Sequence, residues 1–370
     1  MKLVCSKANL LNGVQTVSKA VPSKTTMSIL ECILVDATNG EIKLTANDME
    51  LGIETTIEGQ IVEKGIIALD AKMFLEIVRK LPDSDITIET DASFKVVITC
   101  EKAKFTIIGK SGEDFSYLPA VEKDDSIVMS QFTLKEVVRQ TIFSISDNDN
   151  NKLMTGELFD INGEEFKIVS LDGHRISIRK IQLKNSYSPK KVVVPGKTLN
   201  EVSKILPGDA DSDVTISFTE KHIVFEFDKT VVVSRLIEGE YFRIDQMLSS
   251  AYETKVIVNK KELLDCIDRA TLLVKEGDKK PIIMNITDGS MELKINSFIG
   301  SMNEDIDIEK EGKDILIGFN PKFFIDALRV IDEENVSLYM VNPKAPCFIK
   351  DDEGKFIYLI LPVNFNNAAN

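Results

Sequence analysis

Apolar residues recur at helical spacing in six segments of this chain, and three of those segments repeat one order of charges on the opposite side. Lys72, Glu76 and Arg79 are followed 125 residues on by Lys197, Glu201 and Lys204, and after the same step by Lys322, Asp326 and Arg329. Positions i, i+4 and i+7 share one face of a helix, so each triplet predicts a basic, acidic, basic stripe. Phe74, Ile77, Val78 and Leu81 form the first apolar side, Leu199, Val202 and Leu206 the second, and Phe324, Ala327, Leu328 and Ile331 the third. One amphipathic helix type thus occurs three times, over about 69–82, 194–207 and 319–332, which divides the chain into three repeated modules.

Each module has a second helical segment upstream, over 6–21, 133–146 and 259–274, with Leu10, Val137 and Leu263 spaced 127 and 126 residues apart. After each come alternating runs separated by Asn39-Gly40, Asn162-Gly163 or Asp288-Gly289, the pattern of a type I′ hairpin turn. Behind each striped helix lie three short alternating strands, such as ITIET, FKVVITC and KFTIIG in the first module. The expected fold is α+β, with three similar domains, each of two helices and antiparallel sheets. Boundaries fall in the charged VEKDD stretch and in LSSAYET, giving domains 1–122, 123–249 and 250–370; the polar tail NFNNAAN reads as frayed.

At 370 residues, three modules of this size can each bury a core. No apolar run approaches the ~20 residues of a membrane span, and the N-terminus is too polar for a signal peptide, so a cytoplasmic location and no membrane partner are expected. Five cysteines without CxxC spacing and two separated histidines argue against a disulfide framework and against a metal site. No cofactor is expected.

A net charge of −14 argues at first against a nucleic-acid partner. Its distribution changes that picture: the six helical segments together carry +5, which leaves −19 for everything else. Were the helices gathered on one side, a weakly positive surface would stand on a negative body. A solvated helix face with i, i+4 pairs explains the same stripes without any ligand.

Several motifs carry a family resemblance along essentially the whole chain: LTANDMELGI at 44–53, TGELFDINGEEFKIVSLDGHRISI at 155–178, SRLIEGEY at 234–241, IGFNPKFFIDAL at 317–328 and the terminal ILPV at 360–363. In this order on a three-module chain they resemble the bacterial DNA polymerase III β subunit, the sliding clamp. The resemblance implies a head-to-tail homodimeric ring, with twelve helices around a hole and a continuous sheet outside. It encircles double-stranded DNA without regard to sequence and tethers the replicative polymerase. A ring that slides needs only weak attraction to phosphate, and the positions suited to it are Lys24, Lys72, Arg79, Lys80, Lys152, Lys197, Lys204, Lys322 and Arg329.

The resemblance also implies a cleft in which the polymerase, the clamp loader and repair proteins dock short hydrophobic peptide motifs. Carried over by motif, it comprises Met154, Leu171, Gly173, His174, Arg175, Ile176, Phe242, Gln246, Met247, Leu359, Leu361, Pro362 and Val363. Phe242 stands where proline is common in the family, and Gln246 and Asn364 where arginine is common. At the ring seam, Phe105 and Ile107 of one protomer would meet Leu272 and Leu273 of the other, with Lys102 and Lys104 facing Glu304 and Asp305.

Two other readings stay open. Asp172, His174 and Arg175 in near succession could suggest an acid–base enzyme, yet no nucleophile, metal spacing or phosphate-cradling glycine loop accompanies them. A monomeric repeat scaffold that binds peptides would share the modules and the cleft. The clamp reading makes the protein non-enzymatic.

Overall fold

All six amphipathic segments are helices in the computed structural model, which describes residues 1–119, 125–148, 150–248, 251–274 and 280–365. They are α1 (Lys7–Val17), α2 (Ala71–Lys80), α3 (Gln131–Arg139), α4 (Gly196–Ile205), α5 (Lys260–Thr271) and α6 (Pro321–Val330). The expected boundaries at 122/123 and 249/250, and most of the polar tail, lie outside the described residues.

Capping sets where the helices begin. Ser6, Asp70 and Asn259 accept hydrogen bonds from the otherwise orphaned amides of Asn9, Met73 and Glu262, and Asn320 caps α6 with Pro321 at its first position. Every apolar position assigned to the striped helices is buried, from Phe74 to Ile331. On α1, Gly13 lets the helix lie against the sheet, because a Cβ there would sit 2.5 Å from the Ile57 side chain and 2.8 Å from that of Leu44.

The described chain forms two compact units, Met1–Lys135 with Lys197–Leu236, and Glu136–Gly196 with Ile237–Asn370, so the middle module contributes to both. In the first unit, a five-stranded sheet ends on the strand Ala103–Ile108, and a nine-stranded sheet joins the first module to the second where Leu51–Ile57 pairs antiparallel with Thr230–Arg235. In the second unit, a seven-stranded sheet joins the second module to the third where Arg175–Pro195 pairs with Phe356–Ile360. A four-stranded sheet there ends on Gly300–Asp307.

The turn expectation needs correction. A type I′ turn requires positive φ at both central residues, but only Gly40, Gly163 and Gly289 have it, while Asn39, Asn162 and Asp288 do not. Asn162-Gly163 is no hairpin turn at all. It lies within the strand Gly156–Leu171, where pairing with Arg175–Pro195 shifts register on both sides of Gly163, so the glycine serves a bulge in a long two-stranded ribbon.

That ribbon buries a carboxyl group. Glu157 is 0% exposed and, among the described residues, neither of its oxygens has a hydrogen-bond partner; the Thr141 hydroxyl donates to the Val137 carbonyl instead. Burial pushes the Glu157 carboxyl up to about 8, so it is protonated at neutral pH. A carboxyl whose folded value is raised favours the fold fully below its unfolded value and loses that contribution as pH climbs towards 8. Glu157→Gln should therefore melt increasingly above the wild type between pH 5 and pH 8, by several degrees at the upper end, whereas parallel curves in thermal melts would refute a buried neutral carboxyl.

Candidate functional site

The Asp172–Arg175 turn helps build an apolar pocket in the second unit. Leu171 ends one strand, Gly173 takes φ +87°, and the Asp172 carboxylate accepts the amides of His174 at 2.9 Å and Arg175 at 3.0 Å. Arg175 starts the next strand, whose pairing with Phe356–Ile360 sets Ile176 opposite Leu359. Leu361 then donates its amide to the His174 carbonyl at 2.9 Å, which fixes the C-terminal segment beside the turn. Tyr241 anchors a further wall through its hydroxyl, 3.3 Å from the Val169 carbonyl, with its ring edge-on to Phe242.

Between these elements lies a pocket of about 600 Å³, lined by Met154, Leu171, Gly173, His174, Arg175, Ile176, Phe242, Met247, Pro346, Leu359 and Leu361. Leu171, Ile176 and Leu359 form a buried floor, while Met247, Leu361 and His174 are exposed at the rim. An apolar floor with exposed apolar edges suits a ligand that inserts aliphatic or aromatic side chains. Gln246, Pro362 and Val363 were placed in this cleft from the sequence but do not line it. Gln246 is exposed on the short helix Ile244–Met247, and the Val363 amide bonds the Gly318 carbonyl, which takes Val363 and Asn364 into a separate depression with Glu253 and Lys313. Pro346, a lining residue, carried no sequence signal because it lies in a loop outside any periodic element.

Arg175 is the charged centre of this region and is almost fully buried. Its guanidinium donates to Asp172 at 3.0 Å, to Asp326 of α6 at 2.7 Å and to the Phe143 carbonyl. It also packs over the rings of Phe143 and Phe323, 5.4 and 4.6 Å from their centroids. These ties give Asp172 and Arg175 structural partners, and among the described residues no cluster has the makings of a metal site.

Asp326 thereby departs from the expected stripe, since it turns towards Arg175 and Arg329 pairs instead with Asp268 of α5. The other basic candidates differ in the same respect. Arg79 and Lys80 share Glu76, Lys204 pairs with Glu201, and Lys197 is drawn to Asp48. Lys24, Lys72, Lys152 and Lys322 are exposed and make no ion pair among the described residues. The stripes are therefore mixtures of neutralised and free cations.

Among the seam candidates, Lys104, Phe105 and Ile107 lie on the edge strand Ala103–Ile108 of the first unit and Glu304 and Asp305 on the edge strand Gly300–Asp307 of the second, while Lys102 precedes the former and Leu272 and Leu273 directly follow α5. On Ala103–Ile108, Phe105 and Ile107 stand opposite the buried Ile98 and Val96, on the core side of the sheet but beyond its cover, and Lys102 and Lys104 are exposed. Ile108, at 73% exposure, joins them and was missed because it faces the other side. On Gly300–Asp307, Asp305 is exposed, but Glu304 lies opposite buried Leu293 and holds Arg269 in a two-point ion pair. Glu304 is thus ion-paired with Arg269 within its own unit. Leu272, at 78%, and Phe298, at 95%, are the most exposed large apolar side chains nearby in sequence, with Leu273 half-buried.

Three α+β domains on antiparallel sheets, with bare sheet edges and an apolar cleft, place the molecule in the class of DNA clamp folds. Profiles of the DNA polymerase III beta subunit match its N-terminal domain at residues 1–119, its central domain at 128–242 and its C-terminal domain at 245–364, and the chain belongs to that family. A beta sliding clamp of Staphylococcus epidermidis is 32% identical over 98% of this chain and 99% of its own length. Among solved structures, a putative DNA polymerase III beta subunit from Eubacterium rectale is 80% identical with a TM-score of 0.96, covering 99% of this chain and 100% of that one. The DNA polymerase sliding clamp of Bacillus subtilis is 32% identical with a TM-score of 0.95 over the same shares.

Replacing Arg175 with Met should cost about 3–5 kcal/mol, because it strands two carboxylates that are each mostly buried. Urea unfolding measures this, and a loss below about 1 kcal/mol would show that the ion pairs contribute little.

Proposed function

We propose that this protein is a DNA sliding clamp, a non-enzymatic homodimeric ring of domains 1–122, 123–249 and 250–370 that encircles duplex DNA and tethers the replicative polymerase. The observation that carries this reading is the pair of bare sheet edges, Ala103–Ile108 and Gly300–Asp307, each rimmed by exposed apolar residues. An unpaired edge with apolar flanks is a liability unless a partner strand covers it. Two such edges on different modules allow a head-to-tail pair of chains to cover both and close. Phe105, Ile107 and Ile108 would meet Leu272, Leu273 and Phe298, and Lys104 would face Asp305.

On this reading Lys24, Lys72, Lys152 and Lys322 supply the weak phosphate attraction that sliding requires, and the internally paired Lys197, Lys204, Arg79, Lys80 and Arg329 contribute less. Acidic strands elsewhere repel DNA, so the net charge of −14 is no obstacle. Retention is topological rather than adhesive. The cleft below His174 takes the leucine and phenylalanine side chains of short peptide motifs from the polymerase, the clamp loader and repair proteins, and the site of action is the cytoplasm. Among the described residues no helix is long and apolar enough to cross a membrane.

Loaded by an ATP-driven loader, the protein should stay on circular duplex DNA and run off linear duplex; equal retention on both, in a gel-filtration assay, would overturn encirclement. Leu361→Ala and Met247→Ala should each weaken binding of a fluorescent peptide with leucine and phenylalanine anchors by about five- to tenfold, without changing dimer mass. Unchanged anisotropy curves for both would remove the peptide role of the cleft.

A further inference from the structure

Asp326 sits in the middle of a basic stripe on α6, between exposed Lys322 and exposed Arg329, yet it is turned inward and mostly buried. Burying a carboxylate is unfavourable unless it meets a paired cation, and here that cation belongs to the pocket wall. Asp326 receives one arm of the Arg175 guanidinium at 2.7 Å, while the Nε of the same group donates to Asp172 at 3.0 Å. Asp172 in turn holds the amides of His174 and Arg175, and so sets the conformation of the turn that forms the rim. One turn of helix before Asp326, the Phe323 ring lies under the guanidinium and nearly parallel to the His174 ring, 22° between planes and 6.2 Å between centroids.

We propose that Asp326 is a positioning residue for the cleft: acting through Arg175, it holds the Asp172–Arg175 turn and the His174 ring in the geometry that admits a partner peptide. The proposal rests on the peptide reading of the cleft. A carboxylate is required rather than any polar group, because the guanidinium is shared between two acceptors of like charge. With only Asp172 left as an anion, the arginine shifts towards it and carries the turn along. The same chemistry ties pocket shape to α6, the helix that carries two of the candidate DNA-facing cations.

The test uses the full-length protein, its Asp326→Asn, Asp326→Glu and His174→Ala variants, and the double variant Asp326→Asn with His174→Ala, titrated with the same fluorescent leucine–phenylalanine peptide. Asp326→Asn keeps a hydrogen-bond acceptor and the side-chain size, so folding is checked by melting and by dimer mass. The expected result is about tenfold weaker peptide binding for Asp326→Asn, partial recovery for Asp326→Glu, and little further loss when Asp326→Asn is added to His174→Ala. A purely structural role would lower the melting temperature and leave peptide affinity within twofold, which would overturn the proposal. Full additivity with His174→Ala would also overturn it, since the two residues would then act separately. Leu361→Ala run alongside separates the two failures: if it weakens the peptide and Asp326→Asn does not, the cleft stands and the positioning role falls, whereas no effect from either removes both.

Discussion

Main-chain pairing between modules is the constraint on which the rest depends. Thr230–Arg235 completes the sheet begun by Leu51–Ile57, and Arg175–Pro195 completes the one that contains Phe356–Ile360. Each junction satisfies a run of backbone donors and acceptors that would otherwise be bare edges, so modules cannot be separated without exposing them. The second junction also creates the cleft: the register that sets Arg175 against Ile360 is the one that brings Leu171, Ile176 and Leu359 to one floor. A slip of one residue would reverse which side chains face it.

Once that register is set, a buried cation becomes affordable. Arg175 enters an apolar region flanked by Phe143 and Phe323 only because two carboxylates and a carbonyl converge on it. Buried ion pairs are weak sources of net stability but costly to break, so such a cluster fixes geometry more than it adds energy. Glu157 is the contrasting case in the same unit. Buried with no bonded partner among the described residues, the carboxyl keeps its proton.

The helices were legible because amphipathic period and burial agree: the apolar positions of α2, α4 and α6 are buried. The strands behind them were legible for the same reason, through alternation. The turn chemistry was less so. Asn162-Gly163 has the residues of a hairpin turn, but the chain runs on as a strand because its partner is long enough to pair on both sides of a bulge. Most of the cleft residues came with the family motifs, and Pro346 stayed hidden in an irregular loop.

Charge pattern shows where this sequence stops and the tertiary structure begins. Three triplets at one interval determined three modules and the helical spacing of their charges, because helix periodicity is a local property. Which charges stay free is not local. Among the described residues Lys72 and Lys322 make no ion pair, while Lys197 is taken by Asp48, Arg329 by Asp268, and Asp326 by Arg175, each partner lying on another element. Electrostatic pairing acts over a few ångströms in space, whereas the repeat acts along the chain, so identical triplets acquire different neighbours once the modules pack.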